Sequence, residues 1–438
     1  MKKKEKTVAL LLILIFSFGF SINFIAALIP QGTSTRTTPR VILISIDSAN
    51  PEYLTEEMMP KLFNEIMSRG SKYRYALTAL AAETQHGHTC MLTGAHPNNT
   101  GMIGNGLYIN ETGETIGVLT DPKYRLAETI IESLERTNSS LKTAFLSGKW
   151  RLPSLLANAS DLVFASPRTG IPLPDGYEEK VGTPITYYDG DIVDSWVMNA
   201  LIEVIKKDDP DFIFVNLAWT DVQGHYTGGI GDYSVIINQH LRELDDLFMR
   251  LFTELKAMGE YDNTLFAITS DHGMETVEDV VDIQGYLVDN GIGCHIHNEG
   301  GSGFVFLDNP SQNDTAVALL EQHPDVAVVV PWERMGEYPY HLNSSKNTTG
   351  DIYISTRAHA LLSTYLGGLS IEYSAQGSHG GIALQDVVMG WMGPNIIHHS
   401  YELPVVPEVM DIVPTICQIM GWTPPAQTSG RILHEIIE

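Results

Sequence analysis

The feature that most constrains the fold is a set of short apolar runs that each lead to an aspartate. Val41–Ile46 has the length and the β-branched content of a fully buried strand, and Asp47 follows it directly. Two later runs repeat the pattern, namely Phe212–Leu217 before Asp221 and Leu265–Thr269 before Asp271. Because ligands of parallel sheets bind beyond the carboxyl ends of the strands, this regularity predicts a site at one edge of a sheet.

Helical periodicity fills the stretches between the apolar runs. A further strand is expected at Ala144–Leu146, and the helical patterns cover Met59–Ser68, Ala127–Glu135, Asp191–Lys207 and Val235–Met258. This alternation predicts an α/β fold with a mostly parallel sheet and helices on both faces. After His272 the alternation loosens, so we expect an inserted cap subdomain over residues 275–375. The catalytic domain would then comprise residues 40–274 and 376–438.

The N-terminus has the form of an export signal. Four lysines within the first six residues precede the uncharged run Val8–Ile29, which is long enough to cross a bilayer as a helix. Residues 1–39 are therefore expected to form a membrane anchor plus linker, or a signal peptide cut near the small residues Ala26 and Ala27. Either interpretation predicts an extracytoplasmic protein, membrane-anchored or secreted, with the membrane as a partner if the segment is uncleaved.

Composition narrows the classes of partner. The formal net charge of −26 argues against a nucleic-acid polymer, because binding its backbone needs clustered Lys and Arg. Three cysteines are too few for a disulfide framework. Seven Asn-x-Ser/Thr sequons agree with a glycosylated exterior; they begin at Asn98, Asn110, Asn138, Asn158, Asn313, Asn343 and Asn347.

Metal-ligating residue types gather in four places along the chain. They are Asp47, the pair Asp221 and His225, the pair Asp271 and His272, and His379. Taken singly, each also fits a helix cap or a loop residue. Three carboxylates and three imidazoles at strand–loop junctions suit a pair of divalent ions such as zinc, and this joint order predicts a metal site.

This ordered set resembles the alkaline phosphatase superfamily, and within it the type I phosphodiesterase/nucleotide pyrophosphatase branch. Glu83-Thr84-Gln85-His86-Gly87-His88-Thr89 matches the segment that carries the family's nucleophile. Leu92–Pro97, Gly101–Asn105 and Asp411–Thr415 are also typical of that branch. The resemblance covers the chain from Val41 to about Leu433 and implies an alkaline phosphatase-like fold.

The resemblance also implies roles for individual residues. One Zn²⁺ would be held by Asp221, His225 and His379, and a second by Asp47, Asp271, His272 and Thr84. Thr84 would be the nucleophile, since a metal can stabilise its alkoxide, although local sequence alone also fits a helix N-cap. Asn105 would contact the phosphoryl oxygens through a neutral amide, which favours a diester over a doubly charged monoester.

Two departures from the family pattern concern the substrate. Nucleotide-cleaving relatives commonly carry an aromatic residue after the nucleophile, whereas this chain has Gln85. Tyr188, in the pair Tyr187-Tyr188, could stack on a base instead, and a buried core position is the competing interpretation for this pair. The segment around Lys149 and Arg151 resembles the lysine-containing segment of phosphonoacetate hydrolases, in which lysine binds a substrate carboxylate. The competing interpretation of these cations is a strand–helix turn with solvated charges.

The expected activity is zinc-dependent hydrolysis of a small phosphate diester, nucleotide or lipid-derived, through a phosphothreonine intermediate. Other divalent ions are possible. The alternatives are a phosphonoacetate hydrolase-like or phosphomonoesterase activity on the same geometry, and a catalytically inactive surface glycoprotein that only binds its ligand.

Overall fold

Two larger β-sheets organise the computed structural model, which describes residues 36–187, 189–229, 234–363, 371–372 and 377–438. Their strands, in chain order, are β1 Arg40–Ile46, β2 Gly70–Lys72, β3 Thr143–Ser147, β4 Leu162–Phe164, β5 Phe212–Leu217, β6 Thr264–Thr269, β7 Cys294–Glu299, β8 Ser302–Leu307, β9 Val326–Pro331, β10 Ile352–Thr356 and β11 Met389–Met392. The apolar runs seen in the sequence coincide with β1, β3, β5 and β6.

The central sheet has seven strands in the order β2-β11-β6-β1-β5-β3-β4. Strand β1 pairs in parallel with β5 and β6, and β3 pairs in parallel with β5 and β4. Strand β11 is antiparallel to both of its neighbours. Because β1 lies between β5 and β6 and runs in the same direction, the residues that follow these three strands meet at one edge.

Helices cover both faces of the central sheet, as predicted. The longer helices are α1 Pro60–Arg69, α2 Thr84–Thr93, α3 Ile130–Asn138, α4 Asp194–Asp208, α5 Trp219–Thr227, α6 Ser234–Met258, α7 Ile283–Asp289, α8 Asn313–Leu320 and α9 Ile412–Met420. Successive residues of β1 point to opposite faces. Val41 and Leu43 join the core beneath α2, α3 and α9, whereas Ile42 and Ile44 join the core beneath α1, α4 and α6. The predicted α/β class is confirmed.

The inserted segment (residues 275–375) contains the second sheet, which is antiparallel and ordered β7-β8-β10-β9. One face of this sheet contributes Phe304, Phe306 and Tyr353 to the core beneath α2. Its other face packs against α7 and α8 and forms a third core that includes Val305 and Ile354. The inserted segment therefore shares a hydrophobic core with the central sheet. Its description as a separate cap subdomain stays a prediction.

The short edge strands were not predicted from the sequence. Strands β2 and β4 have three residues each, too few to show a period, and both lie at an edge of the central sheet.

No helix among the described residues combines the length and the apolar character that crossing a bilayer requires. The run Val8–Ile29, on which the anchor or signal prediction depends, lies outside the described residues.

Candidate active site and metal centre

The first group of predicted ligands lies just past the ends of β1 and β6. Asp47, Asp271 and His272 are all fully buried. His272 Nε2 lies 3.3 Å from Asp271 Oδ2 and 3.8 Å from Asp47 Oδ1. Two neighbouring parallel strands thus place a pair of carboxylates against one imidazole at the predicted edge.

The second group surrounds Asp221, in the first turn of α5. His379 Nε2 lies 3.7 Å from Asp221 Oδ1, and the His379 ring stacks on that of His272 with centroids 3.9 Å apart. His225 Nε2 is 3.4 Å from the same Asp221 oxygen, and its side chain is 43% exposed. The structure therefore brings all six predicted ligand residues together, with His272 between the two groups.

The two groups fit divalent cations. Ligand atoms within 4.8 Å of one another come from Asp47, Asp271 and His272 in one group, and from Asp221, His272 and His379 in the other. Asp47 Oδ1 is buried and accepts no hydrogen bond, and Asp271 Oδ2 has only the imidazole nitrogens of His88 and His272 beside it, at 3.2 and 3.3 Å. A buried carboxylate without a partner is costly, and a cation at this position would remove that cost.

The protonation states of these groups also favour a bound cation. Burial and the neighbouring Asp271 raise the pKa of Asp47 well above its ordinary value. Burial lowers the pKa of His272 to about 4, so its imidazole is neutral at pH 7. A neutral imidazole offers the lone pair that a metal ligand needs. A cation between Asp47 and Asp271 would favour their charged forms.

Thr84 begins α2 and is only 2% exposed. Its Oγ1 lies 3.1 Å from His272 Nε2, which places the hydroxyl beside both ligand groups. Backbone N–H groups in the first turn of a helix have no intrahelical partner and create positive potential. The hydroxyl therefore lies where the N-terminus of α2 would stabilise an anionic phosphoryl group, in addition to any bound cation.

Asn105 contacts the residues on either side of Thr84. Its Oδ1 accepts a hydrogen bond from the Gln85 N–H at 2.8 Å, and its Nδ2 donates to Glu83 Oε2. These two contacts fix the orientation of the amide and leave its second N–H available. The Gln85 side chain is fully buried, and neither polar atom of its amide has a hydrogen-bond partner.

Two site residues escaped the sequence reasoning. Ser48 has φ +64°, and its Oγ donates to Asp221 Oδ1 at 2.7 Å and lies 3.1 Å from His272 Nδ1. Glu83 is buried and lies 3.2 Å from His379 Nδ1; burial and the neighbouring Glu299 raise the pKa of Glu83 to about 8. No local pattern marks either residue, because their partners are distant in sequence.

Lys149 is buried, so the competing interpretation of a solvated charge was wrong for this residue, and the substrate contact stays a prediction. Its ammonium contacts Asp221 and lies 3.3 Å from Asp191 Oδ2. Burial alone would lower the pKa of Lys149, but Asp221, Asp47 and Asp191 raise it well above its ordinary value. The carboxylates around it explain how the charge is tolerated inside the protein.

A cleft of about 450 Å³ opens beside Asp221 and is lined by Lys149, Arg151 and His225 among others. The Arg151 Nε is buried and has no hydrogen-bond partner. Of the predicted stacking residues, Tyr187 makes an edge contact with Trp219, with ring centroids 6.2 Å apart. Tyr188 lies outside the described residues.

Two curated proteins are similar to this chain over more than half of its length. Human (Homo sapiens) bis(5'-adenosyl)-triphosphatase ENPP4 is 24% identical over 267 residues, which cover 60% of this chain and 52% of that protein. Ectonucleotide pyrophosphatase/phosphodiesterase family member 3 of Rattus norvegicus is 24% identical over 253 residues, 56% of this chain and 26% of that protein. The chain thus spans about half, or less, of the length of these curated relatives.

Solved structures share the fold at low sequence identity. Phosphonoacetate hydrolase from Sinorhizobium meliloti 1021, in complex with phosphonoformate, has a TM-score of 0.68 and 21% identity, over 85% of this chain and 94% of that one. Murine ectonucleotide pyrophosphatase/phosphodiesterase 5 has a TM-score of 0.68 and 16% identity, over 91% of this chain and 100% of that one. An inactive variant of the murine protein was solved in complex with AMP.

The family model for type I phosphodiesterase/nucleotide pyrophosphatase matches residues 41–382, which is most of the chain. This range contains the edge of the central sheet at which the six ligand residues, Thr84 and Asn105 lie. The chain belongs to the type I phosphodiesterase/nucleotide pyrophosphatase family, in the alkaline phosphatase superfamily.

Proposed function

We propose that the protein is a metal-dependent hydrolase of small phosphate diesters, of the nucleotide pyrophosphatase/phosphodiesterase type, with Thr84 as its nucleophile. The observation that carries the proposal is the position of the Thr84 hydroxyl, buried at the start of α2 and 3.1 Å from His272 Nε2. Two Zn²⁺ ions are the proposed cofactors, held by Asp47, Asp271 and His272 and by Asp221, His225 and His379.

In the proposed reaction the Thr84 hydroxyl loses its proton to solvent and its oxygen attacks phosphorus in line with the leaving group. The bond to the leaving alcohol breaks, and that oxygen takes a proton from water. Water then hydrolyses the phosphothreonine, which releases a phosphate monoester and restores the hydroxyl. When bound, the ions would supply Lewis-acid charge to the nucleophile, the phosphoryl oxygens and the leaving oxygen.

Asn105 supports a diester as the substrate. Its amide is held by Glu83 and by the Gln85 N–H, so that one neutral N–H remains to meet a phosphoryl oxygen. A diester carries one negative charge, which a neutral donor can match. A monoester with nearly two charges gains more from cations.

The test compares bis(4-nitrophenyl) phosphate with 4-nitrophenyl phosphate, using the zinc-loaded protein. We expect the diester to be preferred, and Thr84→Ala to lower kcat/KM by about 1000-fold or more. Thr89→Ala is the matched control, because Thr89 lies on the same helix and its hydroxyl donates only to the Gln85 carbonyl. A strong preference for the monoester would refute the diester assignment.

A second candidate is hydrolysis of a carbon–phosphorus bond or of a phosphomonoester. It is supported by the cations Lys149 and Arg151 in the cleft beside Asp221, which could meet a substrate carboxylate or a second phosphoryl charge. Incubation with phosphonoacetate, with free phosphate as the readout, tests it. Phosphate release faster than hydrolysis of any diester would place this candidate first.

A protein of this fold that only binds its ligand is the alternative from a different class. Five ligand residues in two groups, with His225 beside Asp221 and Thr84 beside His272, support an enzyme instead. Purified protein without zinc, together with a Thr84→Ala variant that behaves as the wild type, would favour the binding protein.

The natural substrate is proposed to be a nucleotide or a lipid-derived diester outside the cytoplasm. The names of the curated relatives and the murine structure in complex with AMP support the nucleotide class. Because a buried Gln85 stands where nucleotide-cleaving relatives commonly carry an aromatic residue, other residues of this chain would have to contact a nucleotide base. Hydrolysis rates across nucleotides, glycerophosphodiesters and lipid head groups would distinguish these classes.

A further inference from the structure

We propose that Glu299, in the inserted segment, is a positioning residue for the phosphoryl-binding site. It fixes the backbone that carries Asn105. This inference rests on the proposed function, since it concerns the residue that would contact the phosphoryl oxygens. It assigns the second sheet a part in catalysis.

The Glu299 carboxylate spans two successive backbone donors. Its Oε2 accepts the Asn105 N–H at 2.8 Å, and its Oε1 accepts the Gly106 N–H at 2.9 Å. His297, on the same strand β7, lies with its Nε2 2.8 Å from Glu299 Oε1. Because Glu299 is only 4% exposed, water does not readily replace these bonds. Hydrogen bonds to a charged group are also stronger than neutral ones.

Gly104 leaves the space that the carboxylate occupies, and Gly106 leaves space chiefly for a neighbouring carbonyl group. A Cβ on Gly104 would lie 2.3 Å from Glu299 Cδ, and a Cβ on Gly106 would lie 2.6 Å from the Ile116 carbonyl oxygen. A side chain at position 104 would displace the Glu299 carboxylate, and a side chain at position 106 would collide chiefly with the Ile116 carbonyl. The glycine at position 104 therefore allows the loop around Asn105 to lie against the Glu299 carboxylate.

The Asn105 side chain is held from the opposite end by the segment that bears the nucleophile. Glu83 accepts from its Nδ2, and the Gln85 N–H donates to its Oδ1. Asn105 is thus fixed through its backbone by Glu299 and through its amide by the residues on either side of Thr84. A donor aimed at a developing negative charge is effective only when its position is fixed beforehand.

The test is a double-mutant cycle between Glu299→Gln and Asn105→Ala, measured as kcat and KM for bis(4-nitrophenyl) phosphate. A glutamine cannot accept both backbone N–H bonds, so we expect Glu299→Gln to lower kcat about 10-fold with little change in KM. In the Asn105→Ala background the same change should cost less than about 2-fold.

Asp351→Asn is the matched control. Asp351 is a buried carboxylate beside the same sheet, and it accepts the Leu307 N–H at 2.9 Å. Its loss should affect stability in a similar way while it leaves kcat unchanged in both backgrounds. Zinc content and thermal unfolding of each variant complete the comparison.

A second readout does not depend on activity. Hydrogen–deuterium exchange of the Asn105 and Gly106 amides should accelerate in Glu299→Gln and remain unchanged in Asp351→Asn. Unchanged exchange, or effects of Glu299→Gln and Asn105→Ala that multiply, would overturn the positioning role. If Thr84→Ala retained full activity while exchange accelerated as expected, the proposed function would fail and the contact of Glu299 with the Asn105 loop would stand.

Discussion

Ser48 gives the most discriminating prediction about the metal centre. Its hydroxyl donates to Asp221 Oδ1 at 2.7 Å and lies 3.1 Å from His272 Nδ1, so one side chain orients a ligand from each group. Ser48→Ala removes both contacts and keeps the Cβ. Partners of this kind typically contribute 10- to 100-fold to metal affinity, which corresponds to about 1.4–2.7 kcal/mol.

Ser48→Gly separates metal affinity from fold stability. At φ +64° a residue with a Cβ is strained by about 1–2 kcal/mol, and glycine is not. Ser48→Gly should therefore be more stable than Ser48→Ala in thermal unfolding, yet bind zinc as weakly, because both lack the hydroxyl. The affinity is measured by competition with a chromophoric chelator after the metal has been removed.

Ser133→Ala is the control for this comparison. Ser133 is a buried serine on α3, and its hydroxyl donates to the Thr423 carbonyl at 2.9 Å, away from the ligand groups. Zinc binding should be unaffected in this variant. The reasoning is refuted if Ser48→Ala binds zinc within about twofold of the wild type, or if Ser48→Gly restores the affinity.

Two further predictions concern the helix that carries Thr84. Burial lowers the pKa of His86 to about 4, so the folded state resists its protonation and stability is lost as pH falls from 6.5 towards 4. Between pH 7 and pH 4 the wild type should lose about 3 kcal/mol more than His86→Gln in denaturant unfolding of metal-free protein, and equal losses would contradict this. Gln85→Leu removes a buried amide that has no hydrogen-bond partner, and it should raise the free energy of unfolding by about 1 kcal/mol. Lower stability in Gln85→Leu would show that the amide has a partner in solution.

The sequence predicted those parts of the fold that depend on local pattern. The buried strands β1, β5 and β6 are continuous apolar runs. Such runs are typical of parallel strands that helices cover on both faces. Their order along the chain then placed Asp47, Asp221 and Asp271 at one edge. The helices were predicted to within a few residues of their ends because their periodic apolar faces pack on the sheet.

The contacts missed from the sequence join residues far apart in the chain. Glu299 lies 194 residues after Asn105, and nothing near it indicates which backbone it will meet. A solvated position for Lys149 stayed open in the sequence because its immediate neighbours do not include the two carboxylates that contact it in the fold. Burial of a charged group depends on three-dimensional partners, and a single sequence does not show them.

The shared core of the two sheets limits how a chain of this kind can acquire a new substrate during evolution. Phe304, Phe306 and Tyr353 of the second sheet belong to the same core as Met91 and Leu92 of α2, the helix that begins at Thr84. Replacing the whole sheet would leave a cavity in this shared core, and each large aromatic side chain lost from a core costs about 3–5 kcal/mol. Changes of substrate are therefore expected to arise in the loops that connect these strands, because the lengths of these loops can change while the shared core stays intact.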